Sequence, residues 1–461
     1  MTAISCKFRR LPWDQNRIHR RATTSSQRLD ELINPKHPLA QLTRYIDWVV
    51  FERKWVGFFP SSRGRPATAP RLVAGLLYLQ HTFALSDEEV VWGWVENPYW
   101  QLFCGETWFQ HHPPIDPSSL TRWRQRIGKE GMEWLLAQTV CAAASAKVIK
   151  RQSLDKVIVD STVQEKAVAH PTDSRLLNRG REHLVKLVAD AGLTLRQNYN
   201  REAPKLAGKI ARYAHAKQYK RMRSHLKKLK TLVGRVWRDV SRQLAKVPAH
   251  LKPKITDLLH KVERLLKQQP KDSHKLYSLH APEVECIGKG KARQPYEFGV
   301  KVSVATTHKE GLVVGMRSLP DNPYDGHTLH ATLEQVKNLT KRQPKEVFVD
   351  LGYRDATVPA GVKLYHRKLK RNITARLKRD IRRPSAIEPA IGHMKNDGRL
   401  RRNWLKGTEG DAFHALLCGC GHNLRMILRK LRLLLALILV RLYCQAANND
   451  KANHRPTAAY A

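Results

Sequence analysis

Three acidic residues stand where acids are costly. Asp160 closes the apolar run "VIVD", Asp350 closes "VFVD", and Glu388 is the one acid of "SAIEPAIGHMK", in a region crowded with arginine and lysine. A carboxylate at the end of a buried hydrophobic strand needs a partner, and the carboxyl end of a strand is where α/β proteins bind ligands. Either aspartate alone could be a turn former. Two of them in one sheet, with a glutamate on a later helix, would make a hard-oxygen site. Mg2+ prefers such a site, with Mn2+ able to substitute, and fills its remaining positions with water and phosphate oxygens. Two such ions about 4 Å apart can activate a water or a 3′-hydroxyl and stabilise a leaving oxygen. Lys395 follows Glu388 by almost two helical turns, so both lie on one helical face. An ion pair would use a spacing of three or four; at this spacing Lys395 is placed to touch phosphates beside the metal.

Charge narrows the partner. The chain has 461 residues, with 83 Lys and Arg against 40 Asp and Glu, a net charge of +43. That imbalance points to a polyanion: DNA, RNA or an anionic membrane surface. The 42% hydrophobic content supports a real core, and the length allows two or three domains. Seven scattered cysteines do not make a disulfide framework, which predicts a reducing cytoplasm, with the protein nucleoid-associated. Cys418 and Cys420, with His414 and His422, lack the two separated pairs of a structural zinc site, and are read as small residues of the packed helix "FHALLCGCGHNL". The apolar run Leu433–Val440 is flanked by arginines and far short of a membrane span, so it is read as a core helix and no membrane partner is expected.

The elements that must position these residues follow from periodicity. Residues 1–35 form a basic, irregular arm, and residues 36–150 read as a helical DNA-binding domain. In it "PRLVAGLLYLQHTF" starts a helix at Pro70, Ser86 caps "SDEEVVWGWVEN", and Asp116 caps a helix over 117–127. That last helix carries hydroxyls and then Arg122, Arg124 and Arg126, a composition suited to a DNA groove or backbone. A buried strand over 155–163 opens the next domain (151–172 and 280–444). It is interrupted by a basic helical insertion, 173–279, read as a long hairpin. Between Arg201 and Lys230 the insertion has eleven Lys and Arg against the single acid Glu202, a face that repels itself unless a polyanion lies along it. Strands return at 296–307 and 311–319, joined by the short turn "HKEG". Asp325 then caps a helix over 327–339, strands follow at 345–350 and 361–367, and helices run to about 444, with a disordered tail over 445–461. Glu409 and Asp411 fall in an apparent loop and read as caps. The order predicts an α/β fold, a mixed sheet with helices on its faces.

The motifs "VIVDST", "IGKGKARQPYEFGVKV", "NPYDGHTL", "VFVDLGYRD" and "AIEPAIGHMKND" together resemble bacterial insertion-sequence transposases of the DDE class, in the group named after insertion sequence five. The likeness spans roughly residues 30–440. It implies a ribonuclease H-like catalytic domain, with Asp160, Asp350 and Glu388 as both catalytic and metal-binding residues and Lys395 on the DNA. It also implies binding to the terminal inverted repeats of the element, Mg2+-dependent strand cleavage and strand transfer, and a homo-oligomer that brings two ends together. The group often has a tyrosine seven residues, and an arginine four residues, before the glutamate. Here those positions are Ile381 and Pro384, and Arg382 and Arg383 stand beside them to supply the charge. The alternatives are a nuclease of the same fold without strand transfer, or a transposase-derived DNA-binding protein or repressor.

Overall fold

The protein is described by a computed structural model covering residues 27–55, 58, 68–290, 295–366, 374–382 and 387–453. Most of the arm expected over 1–35 lies outside the described residues; its end is the short helix α1 (Leu29–Leu32).

The N-terminal region is helical: α2 (Pro38–Tyr45), α3 (Trp48–Trp55), α4 (Pro70–Thr82), α5 (Asp87–Glu96), α6 (Pro98–Cys104) and α7 (Ser119–Ser145). Local signals set the starts. Pro70 opens α4, and Ser86 and Glu89 form a reciprocal capping box at α5, each side chain bonding the other's backbone N–H. Asp116 does not cap α7 directly. Its carboxylate accepts from the N–H of Ser118, the residue just before a helix that begins at Ser119. The helix also continues far past residue 127, turning at Gly128, whose φ of 65° suits a residue with no side chain.

The sheet is mixed. Strand β1 (Lys156–Lys166) lies at its centre, antiparallel to β3 (Tyr296–Thr307) on one side. Strands β2 (Glu285–Gly288) and β4 (Val313–Leu319) share the far edge of β3. On the other side of β1, β5 (Glu346–Val349) runs parallel to it and β6 (Lys363–His366) parallel to β5, while β7 (Arg402–Asn403) pairs with the far end of β1. Read through β4, the order across the sheet is β4-β3-β1-β5-β6. Helix α12 (Asp325–Thr340) crosses from β4 to β5, and α13 (Ala375–Arg382), α14 (Ile387–Asn396) and α15 (Gly407–Asn453) complete the chain. Helix α15 continues to Asn453, through the first part of the segment expected to be an irregular tail; residues 454–461 lie outside the description.

Helix α15 is the spine of the molecule. It packs on α4, α7 and β4, joining helical region and sheet in one continuous core. The small residues of "LLCGCGHNL" allow this. A side chain at Gly421 would collide with the His81 carbonyl of α4, and one at Gly419 would press on Met316 and Val313 of β4. Buried Asn423 closes the joint, donating to the carbonyl of Val313 and accepting from its N–H.

Between β1 and β2 the insertion forms not a hairpin but four helices, α8 (Asp173–Asp190), α9 (Glu202–His215), α10 (Tyr219–Gln243) and α11 (Lys252–Lys267), around a core of their own. The break after α8 falls at "AGLTLRQNYN", where Gly192 takes a positive φ, and the next after α9 at Lys217, also at positive φ. No described helix is long and apolar enough to cross a membrane.

Candidate functional site

Asp160 does not end its strand. β1 runs on to Lys166, and Asp160 sits in its middle, opposite Val304 of β3. What ends is the neighbour: β5 pairs with β1 at Ile158↔Phe348 and stops at Val349. Continuing that register two residues sets Asp350 beside Asp160, where β5 ends alongside the middle of β1. Asp350 is exposed; its Oδ1 accepts from the N–H of Gly352 at 2.8 Å, fixing the turn that leads away from the strand.

A third acid joins them from α12. The sequence made Asp325 a helix cap, but it is the first residue of the helix and makes no capping bond. Its carboxylate turns to the strands instead. Lys301 of β3 lies 3.3 Å from Oδ1, an atom buried without a hydrogen bond, and a side chain added at Gly352 would sit between the carboxylates of Asp325 and Asp350. Burial, the charges of Asp350 and Asp325, and only partial relief from the Ser161 N–H and Lys289 push the Asp160 carboxyl up to about 6. Tyr353, fully buried beneath the three acids, has its phenol driven well up, by burial first and then by their charges. Carboxylates are the ligand type a hard divalent cation takes, but the ligand atoms of Asp160, Asp325 and Asp350 do not all lie within 4.8 Å of one another.

Glu388 is on the first turn of α14, exposed, while the opposite face of the helix (Ile387, Ala390, Ile391, Met394) is buried and the helix packs on β1. The carboxylates of Asp160, Asp350 and Glu388 do not all lie within 4.8 Å of one another. Lys395, half-buried at the other end of α14, lines a cleft of about 890 Å3 between α4–α5 and the segment that follows α14. Its basic wall holds Arg399, Arg401 and Arg402 with exposed Trp404; its acidic wall holds Asp87, Glu88 and Glu89.

The arginines of α7 separate. Arg122 is exposed, and exposed Arg126 stacks over Trp123 at 4.8 Å. Arg124, expected on DNA, is instead 3% exposed and binds the carboxylate of Asp87 and the side chain of Gln80, tying α7 to α4 and α5. Its place three and four positions from Ile127 and Leu120, both buried, was a signal that this face points inward. Arg382 is the last residue of α13, and Arg383 and Pro384 lie outside the described residues. Asp411 is no cap in a loop; it is buried in α15 and paired with Lys166.

Residues 27–126 match the family described as a transposase domain (DUF772). A stretch of 192 residues, 42% of this chain, is 50% identical to the uncharacterized protein ORF8 in the nfe locus of Rhizobium meliloti, and it covers 92% of that protein. No solved structure matches the chain.

Proposed function

The chain belongs to a family of transposase-domain proteins, and on that premise we propose that it is a DDE-type DNA transposase that cleaves and joins the ends of its own element. The observation that carries the proposal is the meeting of Asp160, in the middle of β1, with Asp350, just past the end of the parallel strand β5, with a crowded, partly uncompensated negative charge in a protein of net charge +43. The strand order β4-β3-β1-β5-β6, with β3 antiparallel to its neighbours, supports a ribonuclease H-like reading of the sheet.

In this reading Asp160 and Asp350 hold Mg2+, Glu388 is the third ligand, and Asp325 is a further carboxylate of the same cluster. Bound Mg2+ supplies the positive charge that makes a water or a 3′-hydroxyl nucleophilic and that stabilises the oxygen leaving phosphorus. The chain's own groups do the rest. Lys301 and Lys289 offset part of the repulsion among the acids in the resting site. Lys395, Arg399, Arg401 and Arg402 hold phosphates along the cleft, with Arg122 and Arg126 on exposed α7. No Ser or Tyr nucleophile is required, because the attacking oxygen comes from water or DNA. Since two DNA ends must be joined, the working form is a homo-oligomer.

The experiment is cleavage of duplex DNA carrying the sequences that flank the gene, with Mg2+ present. Nicks at the element ends, followed by joined strand-transfer product, are expected. Asp160→Asn and Asp350→Asn should bind the ends and leave them intact. Full cleavage by either variant overturns the assignment, and cleavage without joined product favours a nuclease of the same fold.

A further inference from the structure

A second group of potential ligands lies in the core, outside the carboxylate site and unused by the proposed chemistry. His81 near the end of α4, and His414 and Cys418 one turn apart on α15, each offer one donor atom, and these three atoms all lie within 4.8 Å of one another. All three residues are buried, at 2%, 2% and 1% exposure. We propose that His81, His414 and Cys418 bind a zinc ion that clasps the transposase domain to the last helix.

The hydrogen bonds around the cluster favour it. The Nδ1 of His81 lies 3.2 Å from the carbonyl of Leu77, and the Nε2 of His414 lies 2.8 Å from the carbonyl of Arg399. A carbonyl only accepts, so each of these nitrogens carries the proton and each ring keeps a lone pair on its other nitrogen. Imidazoles that ligate metals are held in this way, with the far N–H on a backbone carbonyl. For His81 the remaining nitrogen, Nε2, is fully buried and has no hydrogen-bond partner, an unsatisfied acceptor that a core would not ordinarily keep. Two nitrogens and one sulfur suit zinc better than Mg2+.

Binding is balanced by one proton. The Cys418 thiol gives its proton to water as the sulfur–metal bond forms. His81 and His414 also line the large cleft, so a water from it can serve as fourth ligand. The other two residues that sequence spacing linked to these are not ligands. Cys420 falls on the opposite side of α15, and His422 bonds the carbonyl of Gly311. The third ligand comes from another helix 333 positions before His414 (414 − 81), out of reach of any spacing rule.

The test is metal content and cobalt spectroscopy of the purified full chain. About one zinc per chain is expected. Cobalt titrated into the chelator-treated, still helical protein should give a thiolate-to-cobalt charge-transfer band. The band should vanish in Cys418→Ser and lose its tetrahedral visible signature in His81→Gln, while exposed Cys141→Ser leaves both unchanged. Asp160→Asn should keep its zinc, so the outcome is independent of whether the chain cleaves DNA. Zinc-free wild-type protein that gives no cobalt band while circular dichroism reports it folded, or a band that survives Cys418→Ser, overturns the proposal. Should Cys418→Ser not fold, the titration of the wild-type chain decides alone.

Discussion

Strand β1 carries an acid cluster along each half, one buried and one partly exposed, and the two are balanced differently. At its far end Lys166 reaches the carboxylates of Glu283 and Asp411 at 2.7 Å each, Asn403 donates to Asp411, and the N–H of Gly407 donates to Glu283. Burial alone would raise Glu283, but Lys166 and these N–H groups hold it below the ordinary carboxylate range. Asp411, more deeply buried, stays raised even so; six residues earlier in the same strand, Asp160 faces two further acids, whose charges add to burial in raising it to about 6. The paired cluster bonds β1 to the β7 end of the sheet and to α15. The largely unpaired one sets three acids against Lys301 and Lys289, which relieve only part of their mutual repulsion. A fold does not need the second arrangement, and that asymmetry separates the candidate site from the merely buried acids.

The largest expected effect breaks the unpaired cluster. Asp160→Asn or Asp350→Asn should lower end cleavage by about 10^4-fold, the loss of several kcal/mol of transition-state charge stabilisation. Gel quantification of nicked product measures it. Asp325→Asn sharpens the same point. If Asp325 shares the cation, cleavage falls and the Mg2+ needed for half-maximal rate rises; if it only balances Lys301, neither moves. Glu388→Gln, read in the same assay, decides whether the exposed glutamate of α14 belongs with them.

Breaking the paired cluster should act on stability instead. Lys166→Met leaves two buried carboxylates without their cation and should cost about 3–5 kcal/mol in urea unfolding. Asp160→Asn should do the reverse. Because the folded pKa of Asp160 is raised to about 6 from an ordinary 3.8, the folded chain binds more protons than the unfolded chain between those values. The penalty is therefore absent below about pH 4, grows as pH rises through 6, and is complete above it. Removing the charge should stabilise the protein by about 2–3 kcal/mol at pH 7.5 and by almost nothing near pH 4. Equal stability of wild type and variant at both pH values would mean that the acids are already compensated.

The two clusters also mark how far sequence reaches. The strands themselves were legible, because runs such as "KVIV", "YEFGVKVSVATT" and "EVFV" are β-branched and continuous. So were Asp160 and Asp350, as acids closing apolar runs. The length of β1 was not, since "STVQEK" turns polar while its Lys166 is buried by partners more than a hundred residues away. Asp411 was hidden for the same reason. Asp325 was hidden by ambiguity: an acid at a helix start caps it or points elsewhere, and only the neighbouring strands decide. The insertion's helical texture was plain, but its breaks at Gly192 and Lys217 divided a presumed hairpin into four helices. The β2 segment "ECIG" is too short to carry any period at all.

The smallest effect concerns the ground between the clusters. The basic wall of the cleft follows α14 and ends at Arg402, whose strand β7 pairs with β1 at Glu165, next to Lys166. If DNA lies along this wall, Arg401→Ala and Arg402→Ala should each lower the slope of log affinity against log salt by about 1, with little change in sequence preference, because each removes one phosphate contact. Buried Arg124, bound to Asp87 on the opposite wall, should leave that slope unchanged in any variant that folds, such as Arg124→Lys. Fluorescence anisotropy on a labelled duplex across a salt series reads both. A slope that falls for Arg124→Lys and not for Arg401→Ala would move the DNA track from the α14 side of the cleft to the α7 side, away from the paired cluster and its strand.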